Sequence, residues 1–195
     1  MPSTPKGSPL LYSYTDYLTW PEDERWELIN GVPYNMTPAP TPKHQEILGE
    51  IFRLLANWLK GKKCKAYMAP FDVRLVESET IDSMIDKVVQ PDITVVCDPQ
   101  KIDGRGCLGI PDMIIEILSP STFKKDLGIK LALYESSGVQ EYWVVHPMDE
   151  TVLVFQIQNG QYGKPTVYSA PDMIPVGLFE GFVIPLESVF RDALL

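Results

Sequence analysis

Asp112-Met113-Ile114-Ile115-Glu116-Ile117-Leu118 sets one carboxylate in the middle of a run that is otherwise apolar. Near-continuous apolar runs of this length mark strands in a sheet interior. Side chains alternate along a strand, so Glu116 shares a face with Asp112, Ile114 and Leu118. A carboxylate on such a face is costly to bury alone. A basic partner, hydrogen bonds or a metal ion must compensate it. The segment Gln90-Pro91-Asp92-Ile93-Thr94-Val95-Val96 poses a related case, with Asp92 at the mouth of a second strongly apolar strand. Functional groups concentrate at strand mouths and the loops beside them. Two carboxylates on neighbouring strands can bind Mg²⁺ together, because Mg²⁺ takes oxygen ligands and keeps several waters. A site of that kind can activate water and stabilise charge on a phosphate.

The elements around these strands follow from pattern. Thr41 is a plausible cap with Pro42 at the first helical position. Ile47, Leu48, Ile51, Leu54, Leu55, Trp58 and Leu59 then form one apolar stripe of helical period. A helix is expected over about 41–60, ended by Gly61. Trp26 to Ile29 and Val32 to Met36 flank Asn30-Gly31, a strong two-residue hairpin signal. Pro33 points to an edge position for the second of these strands. A short helix is expected near Thr15, capped by Ser13. Further strands are expected at about 65–69, 71–76, 93–96, 113–118, 142–145, 152–157 and 162–168, with a polar, acidic loop over 77–87. A second helix is expected over about 122–136, closed by Ser137-Gly138, and a helical turn after Pro185. The fold class is α/β, with a mixed, partly antiparallel sheet flanked by helices and additional hairpins. Residues 1–12, rich in Pro, Ser and Thr, read as a flexible arm, and 13–195 as one domain.

Bulk properties exclude several classes. The chain has 195 residues and a net charge of −9. That balance disfavours binding to nucleic acid through a broad basic surface. Metal-binding carboxylates account for part of it, since the metal reverses their charge locally. Cys64, Cys97 and Cys107 are odd in number and lack a CxxC pair, so three reduced cysteines are expected. The N-terminus shows no apolar signal segment and no run approaches a membrane span of about 20 apolar residues. The Asn35-Met36-Thr37 sequon therefore carries little weight, and a cytoplasmic protein is expected. Gly104-Arg105-Gly106-Cys107-Leu108-Gly109 matches GxGxxG formally but leads into a strand, whereas pyrophosphate binding needs a helix N-terminus. No nucleophile elbow or phosphate-binding lysine loop occurs. His44 and His146 are too isolated for a zinc site.

Pro91-Asp92, followed twenty-four residues later by Glu116 on an apolar strand, resembles the PD-(D/E)XK nuclease pattern. More closely, the chain resembles the bacterial Uma-two (Uma2) family of restriction endonucleases. The pieces are Trp26-Glu27-Leu28-Ile29-Asn30-Gly31, His44 opening a helix, Gln90-Pro91-Asp92-Ile93, Pro111 through Thr122, and Lys130, Tyr134 and Gly138-Val139-Gln140-Glu141-Tyr142-Trp143. Their order and spacing cover roughly residues 14–160. The resemblance implies a restriction-endonuclease-like mixed sheet and a carboxylate metal site. Asp92 and Glu116 would be the metal ligands, with Glu27 an additional acidic residue near the metal.

The superfamily pattern places a lysine two residues after the glutamate. Here that residue is Leu118, which can neither orient water nor neutralise phosphate. Asp126, Lys130 and Tyr134 are spaced i, i+4, i+8 on the following helix, hence on one face. Lys130 is therefore the expected replacement, with Lys124 and Lys125 as runners-up. Against it stands an ordinary Asp126–Lys130 surface pair. His44 and Tyr134 are candidates for substrate contact, and Asp112 reads as a strand-start residue. The expected activity is Mg²⁺- or Mn²⁺-dependent endonucleolytic hydrolysis of DNA, catalysed by Glu27, Asp92, Glu116 and Lys130. The alternatives are a catalytically inactive nuclease-fold binding module and a metal-dependent hydrolase of another phosphate ester. A homodimer is expected for cutting both strands, with Phe179, Phe182, Phe190 and Leu194 serving either an interface or the core.

Overall fold

A computed structural model describes residues 10–21, 23–36, 39–76, 80–119 and 125–191 of the chain. In order these form α1 (Tyr14–Tyr17), β1 (Trp26–Ile29), β2 (Val32–Asn35), α2 (Pro42–Leu59), β3 (Lys65–Met68), β4 (Val73–Arg74), β5 (Val88–Val89) and β6 (Ile93–Val96). After them come β7 (Ile102–Asp103), β8 (Gly106–Leu108), β9 (Met113–Ile117), a π-helical segment (Lys125–Lys130), α3 (Leu131–Ser137), β10 (Glu141–His146) and β11 (Thr151–Gln158). The chain ends with β12 (Gln161–Tyr162), β13 (Thr166–Ser169), β14 (Met173–Pro175), β15 (Val183–Pro185) and α4 (Leu186–Arg191).

Two sheets organise these elements. One has the order β2-β1-β5-β4-β8-β7, and the other β12-β11-β10-β9-β6-β3, with β13 also on β11. The second sheet is mixed: β9 runs parallel to β10 and antiparallel to β6. The fold class is as expected, although its strands divide between two main sheets, with β14 and β15 paired in a separate two-stranded one. β2, with Pro33, takes the edge of its sheet, where a residue without an N–H breaks no ladder.

The apolar stripe of α2 packs on one face of the second sheet. Ile47, Ile51, Leu55 and Leu59 join Ile93, Val95, Met113, Ile115 and Ile117 in a fully buried core. The opposite face, carrying Ile114, Leu118, Tyr142 and Val144, meets α3 and the first sheet through Leu133, Ile29, Val73 and Val89. Glu116 lies on this second face, between the two sheets. Phe182 and Phe190 are core residues and Phe179 packs against them. Leu194 lies outside the described residues.

Several details depart from expectation. The expected 162–168 strand is two strands separated by Gly163, Lys164 and Pro165, since Pro165 cannot donate to a ladder. The expected strand over 71–76 pairs only at Val73–Arg74. Residues 82–84 of the expected loop form a 3₁₀ turn, while 77–79 lie outside the described residues. The second helix starts, among the described residues, with a π-helical segment before the α-helix that Gly138 closes at φ +88°. The expectation of three reduced cysteines is overturned, because Cys64 and Cys97 form a disulfide. Lys65 pairs with Val96, so the antiparallel register sets Cys64 opposite Cys97. Cys107 is free and buried. Among the described residues no helix is long and apolar enough to cross a membrane.

Candidate active site

Glu116 is 4% exposed, and three groups compensate it. Lys130 Nζ donates to Glu116 Oε1 at 2.7 Å, and the Tyr134 hydroxyl donates to the same oxygen at 2.8 Å. The same ammonium lies 2.7 Å from Glu27 Oε1 and 3.7 Å from Asp126 Oδ1. Lys130 is thus a buried cation shared by three carboxylates, and the Asp126–Lys130 pair is one member of that group. Lys130 and Tyr134 are one helical turn apart, which brings both to Glu116.

Glu27 reaches the group from the first sheet. Along β1, Leu28 faces α1 in one core while Glu27 and Ile29 face the second sheet. Both Glu27 oxygens are engaged: Oε1 by Lys130 and by the Gln90 amide at 3.2 Å, Oε2 by Lys125 Nζ at 2.7 Å. The opposing charges of Lys130 and Lys125 hold its carboxyl below the usual range, against a burial cost that acts the other way.

Asp92 precedes β6 at the position that continues the Ile93–Ile115 register to Glu116. The two carboxylates therefore stand opposite each other on neighbouring strands. Asp92 Oδ2 accepts from the Ile117 amide at 2.8 Å and lies 3.2 Å from His44 Nε2. His44 is placed by the start of α2, where the Thr41 hydroxyl accepts its backbone N–H at 3.3 Å. Despite the opposing effect of burial, the hydrogen bond and charge of Asp92 raise the His44 pKa.

The negative charge of the group exceeds what its cations offset. Burial, and next the charges of Asp126, Asp92 and Glu27, push the Glu116 carboxyl up to about 8 although Lys130 pulls the other way. Glu116 and Glu27 move in opposite directions although both touch Lys130. Lys125, which pairs with Glu27 alone, and the Asp126 and Asp92 charges beside Glu116 account for the difference. Lys130 in turn is held in its charged form by Glu116, Glu27 and Asp126, against the cost of burial.

A family model described as "Putative restriction endonuclease", Uma2, matches residues 14–187. The chain belongs to the Uma2 family. An uncharacterized protein of Synechocystis sp. is 29% identical over 144 residues, covering 72% of this chain and 69% of that one. A crystal structure titled as a putative nuclease belonging to DUF820, from Anabaena variabilis, aligns with a TM-score of 0.73 at 23% identity. That alignment covers 93% of this chain and 99% of the other, and at this identity it shows a shared fold.

The donor set of this Uma2 chain suits a hard divalent cation. Among the described residues, hydrogen bonds occupy Asp92 Oδ2 and Glu116 Oε1 and leave Asp92 Oδ1 and Glu116 Oε2 without a protein donor. Two carboxylate oxygens with completing waters are an ordinary Mg²⁺ arrangement. The raised proton affinity of Glu116 marks a local excess of negative charge that a cation would offset. Among the described residues, no three His, Cys, Asp or Glu side chains form a metal-ligand group.

The structure brings Glu27, Asp92, Glu116, Lys130, His44 and Tyr134 into one connected group. Tyr134 is fully buried against Glu116, and His44 lies against Asp92. Asp112 is outside the group and accepts from the Cys97 amide at 2.7 Å. Lys125 pairs with Glu27, and Lys124 lies outside the described residues. Asp126 and Gln90 were not singled out as site residues by sequence. Asp126 was visible one turn before Lys130. Gln90 acts through its backbone amide, which no side-chain pattern reveals.

Proposed function

We propose that this Uma2 chain is an endonuclease that hydrolyses DNA phosphodiester bonds with Mg²⁺ or Mn²⁺. The observation that carries the reading is Lys130, whose ammonium lies 2.7 Å from both Glu27 and Glu116. It supplies the cation that Leu118 cannot. Asp92 and Glu116 would hold the metal, which would supply polarisation of a phosphoryl oxygen and a lowered water pKa. Glu116 would serve as a ligand in its deprotonated form. Of the three N–H groups of Lys130, two lie on Glu27 and Glu116. The third orients the attacking water or meets charge on the phosphate. Glu27, Lys125, Tyr134 and His44 fix these groups in place. Two copies of the chain would serve the two strands of a duplex.

Plasmid nicking tests the proposal. The purified protein is expected to nick supercoiled DNA with Mg²⁺ or Mn²⁺ and to stop in excess chelator. Asp92→Ala and Glu116→Ala should abolish cleavage, and Lys130→Ala should slow it by roughly 10²–10³-fold, the usual loss for one charge-stabilising donor. Cleavage at equal rates by wild type and all three variants would defeat it.

A second reading is favoured by the net charge of −9 and by the burial of Lys130 among three carboxylates. It is a nuclease-like scaffold that binds a partner without catalysis. Calorimetry separates the two, since a scaffold should give no heat with millimolar Mn²⁺. Turnover of a generic phosphodiester without DNA binding would instead indicate a hydrolase of another phosphate ester.

A further inference from the structure

A cavity of about 470 Å³ opens at one end of the first sheet, on the face opposite the carboxylate group. Its polar floor is a cross-strand row. The β1–β5 register continues from Leu28–Val88 to Trp26–Gln90, and the β4–β5 register from Val73–Val89 to Asp72–Gln90. Trp26, Gln90 and Asp72 therefore stand side by side on the sheet face opposite Glu27. Gln90 belongs to both places. Its backbone amide donates to Glu27 Oε1, while its side chain donates to Asp72 Oδ1 at 2.8 Å and to the Tyr17 hydroxyl at 3.1 Å. Arg25 Nε fixes the other end of that amide, donating to Gln90 Oε1 at 3.0 Å.

The walls are aromatic. Trp20 stands between Tyr17 and Trp26, with ring centroids 5.3 and 5.5 Å away. All three rings are partly exposed and line the cavity. Asp72 Oδ1 is occupied by Gln90 and Tyr17, while Oδ2 has no donor among the described residues. Burial raises the proton affinity of Asp72, so an N–H donor at Oδ2 would offset a standing cost. Glu24 and Asp72 line this cavity together with Arg25, and two carboxylates against one cation favour a neutral base over phosphate.

We propose that this cavity binds one unstacked nucleobase, lying against the aromatic wall and recognised through an amino group donated to Asp72. The inference rests on the nuclease reading for its substrate class. Aromatic stacking platforms are the general means by which proteins hold single-stranded bases. A carboxylate acceptor selects bases that present an exocyclic amine. The volume lies within the range of small-ligand sites, roughly 300–1,000 Å³. Gln90 and Asp92 are two residues apart, so a base in this cavity would place a neighbouring phosphate toward the carboxylate group. The substrate then has an unpaired nucleotide at the cleavage position.

Binding can be measured without cleavage, using the full chain in EDTA. Tryptophan fluorescence is titrated with the uncharged nucleosides deoxyguanosine, deoxyadenosine, deoxycytidine and thymidine. Saturable quenching is expected, stronger for the three amino-bearing nucleosides than for thymidine. The near-isosteric Asp72→Asn should weaken it at least about tenfold and erase the preference over thymidine, and Trp20→Leu should weaken it similarly. No saturable signal with any nucleoside, or equal binding by wild type and Asp72→Asn, overturns the proposal. Base binding by a protein that never nicks DNA would sink the nuclease reading alone.

Discussion

Lys130 is the residue on which stability and chemistry meet. Replacing it with Met leaves Glu116 and Glu27 buried without their shared cation. Breaking a buried pair from one side costs about 3–5 kcal/mol. For a chain of this size that lowers Tm by on the order of 10 °C, readable by calorimetry. Adding Glu27→Gln to Lys130→Met should recover part of the loss, because Glu27 is the carboxylate held in its charged form, and removing both charges is far less costly than stranding one. A drop no larger than that of an exposed lysine would show that the group is solvated. Glu116 also gives a pH signature. Its folded pKa, about 8, lies above its ordinary 4.5. The folded state then binds the extra proton, and that stabilisation, complete below about 4.5, is lost as pH rises through about 8. Metal-free wild type should therefore lose Tm between pH 5 and 8 more steeply than Glu116→Gln. Saturating Mn²⁺ at pH 8 should restore it, since the cation binds only the folded site. Parallel pH profiles for the two proteins would count against the shifted carboxyl. Sequence made Glu116 conspicuous because a charge inside Met113–Ile117 demands a partner, and Lys130 was findable by helical spacing. The second lysine on Glu27 was less so, because that contact depends on how the two sheets approach.

Elements place these side chains, and the start of α2 does so by a single cap. Thr41 accepts the backbone N–H of His44, and the His44 ring lies on Asp92. Thr41→Ala should cost about 1 kcal/mol, a Tm shift of roughly 2–4 °C. It should also lower nicking more than an equally destabilising change at the far end of the helix. If both changes lower nicking equally, the cap contributes stability alone. Helix α2 was readable because cap, N-terminal proline and apolar stripe agree, and the Asn30-Gly31 hairpin because both turn residues adopt positive φ. The π-helical segment was not readable, since Asp126, Lys130 and Tyr134 carry the same spacing in either helix type. Nor was the Cys64–Cys97 bond, which follows from the β3–β6 register and from no local cysteine motif.

At the scale of the molecule the open question is how an acidic chain would hold DNA. Many of its cations are already paired. Arg53 meets Glu50, Arg74 meets Asp103, Arg105 meets Asp82, and Arg191 meets Glu187, while Lys125 and Lys130 serve the carboxylate group. An extended basic surface would release many counterions and give steeply salt-dependent binding. This chain should behave differently. Its hold on DNA should depend on the cation at Asp92 and Glu116 and on few phosphate contacts. Fluorescence anisotropy with a labelled oligonucleotide tests this, with Ca²⁺ as an oxygen-seeking cation in place of Mg²⁺. Binding should be weak in EDTA and strengthen with Ca²⁺. The slope of log K against log salt should be shallow, about −2 to −4, as for two to four neutralised phosphates. Asp92→Ala should remove the Ca²⁺ effect and leave the weak metal-free binding unchanged. Tight binding in EDTA with a slope steeper than about −6 would mean that the cations form a continuous basic face. The carboxylate group would then cut DNA that other residues hold.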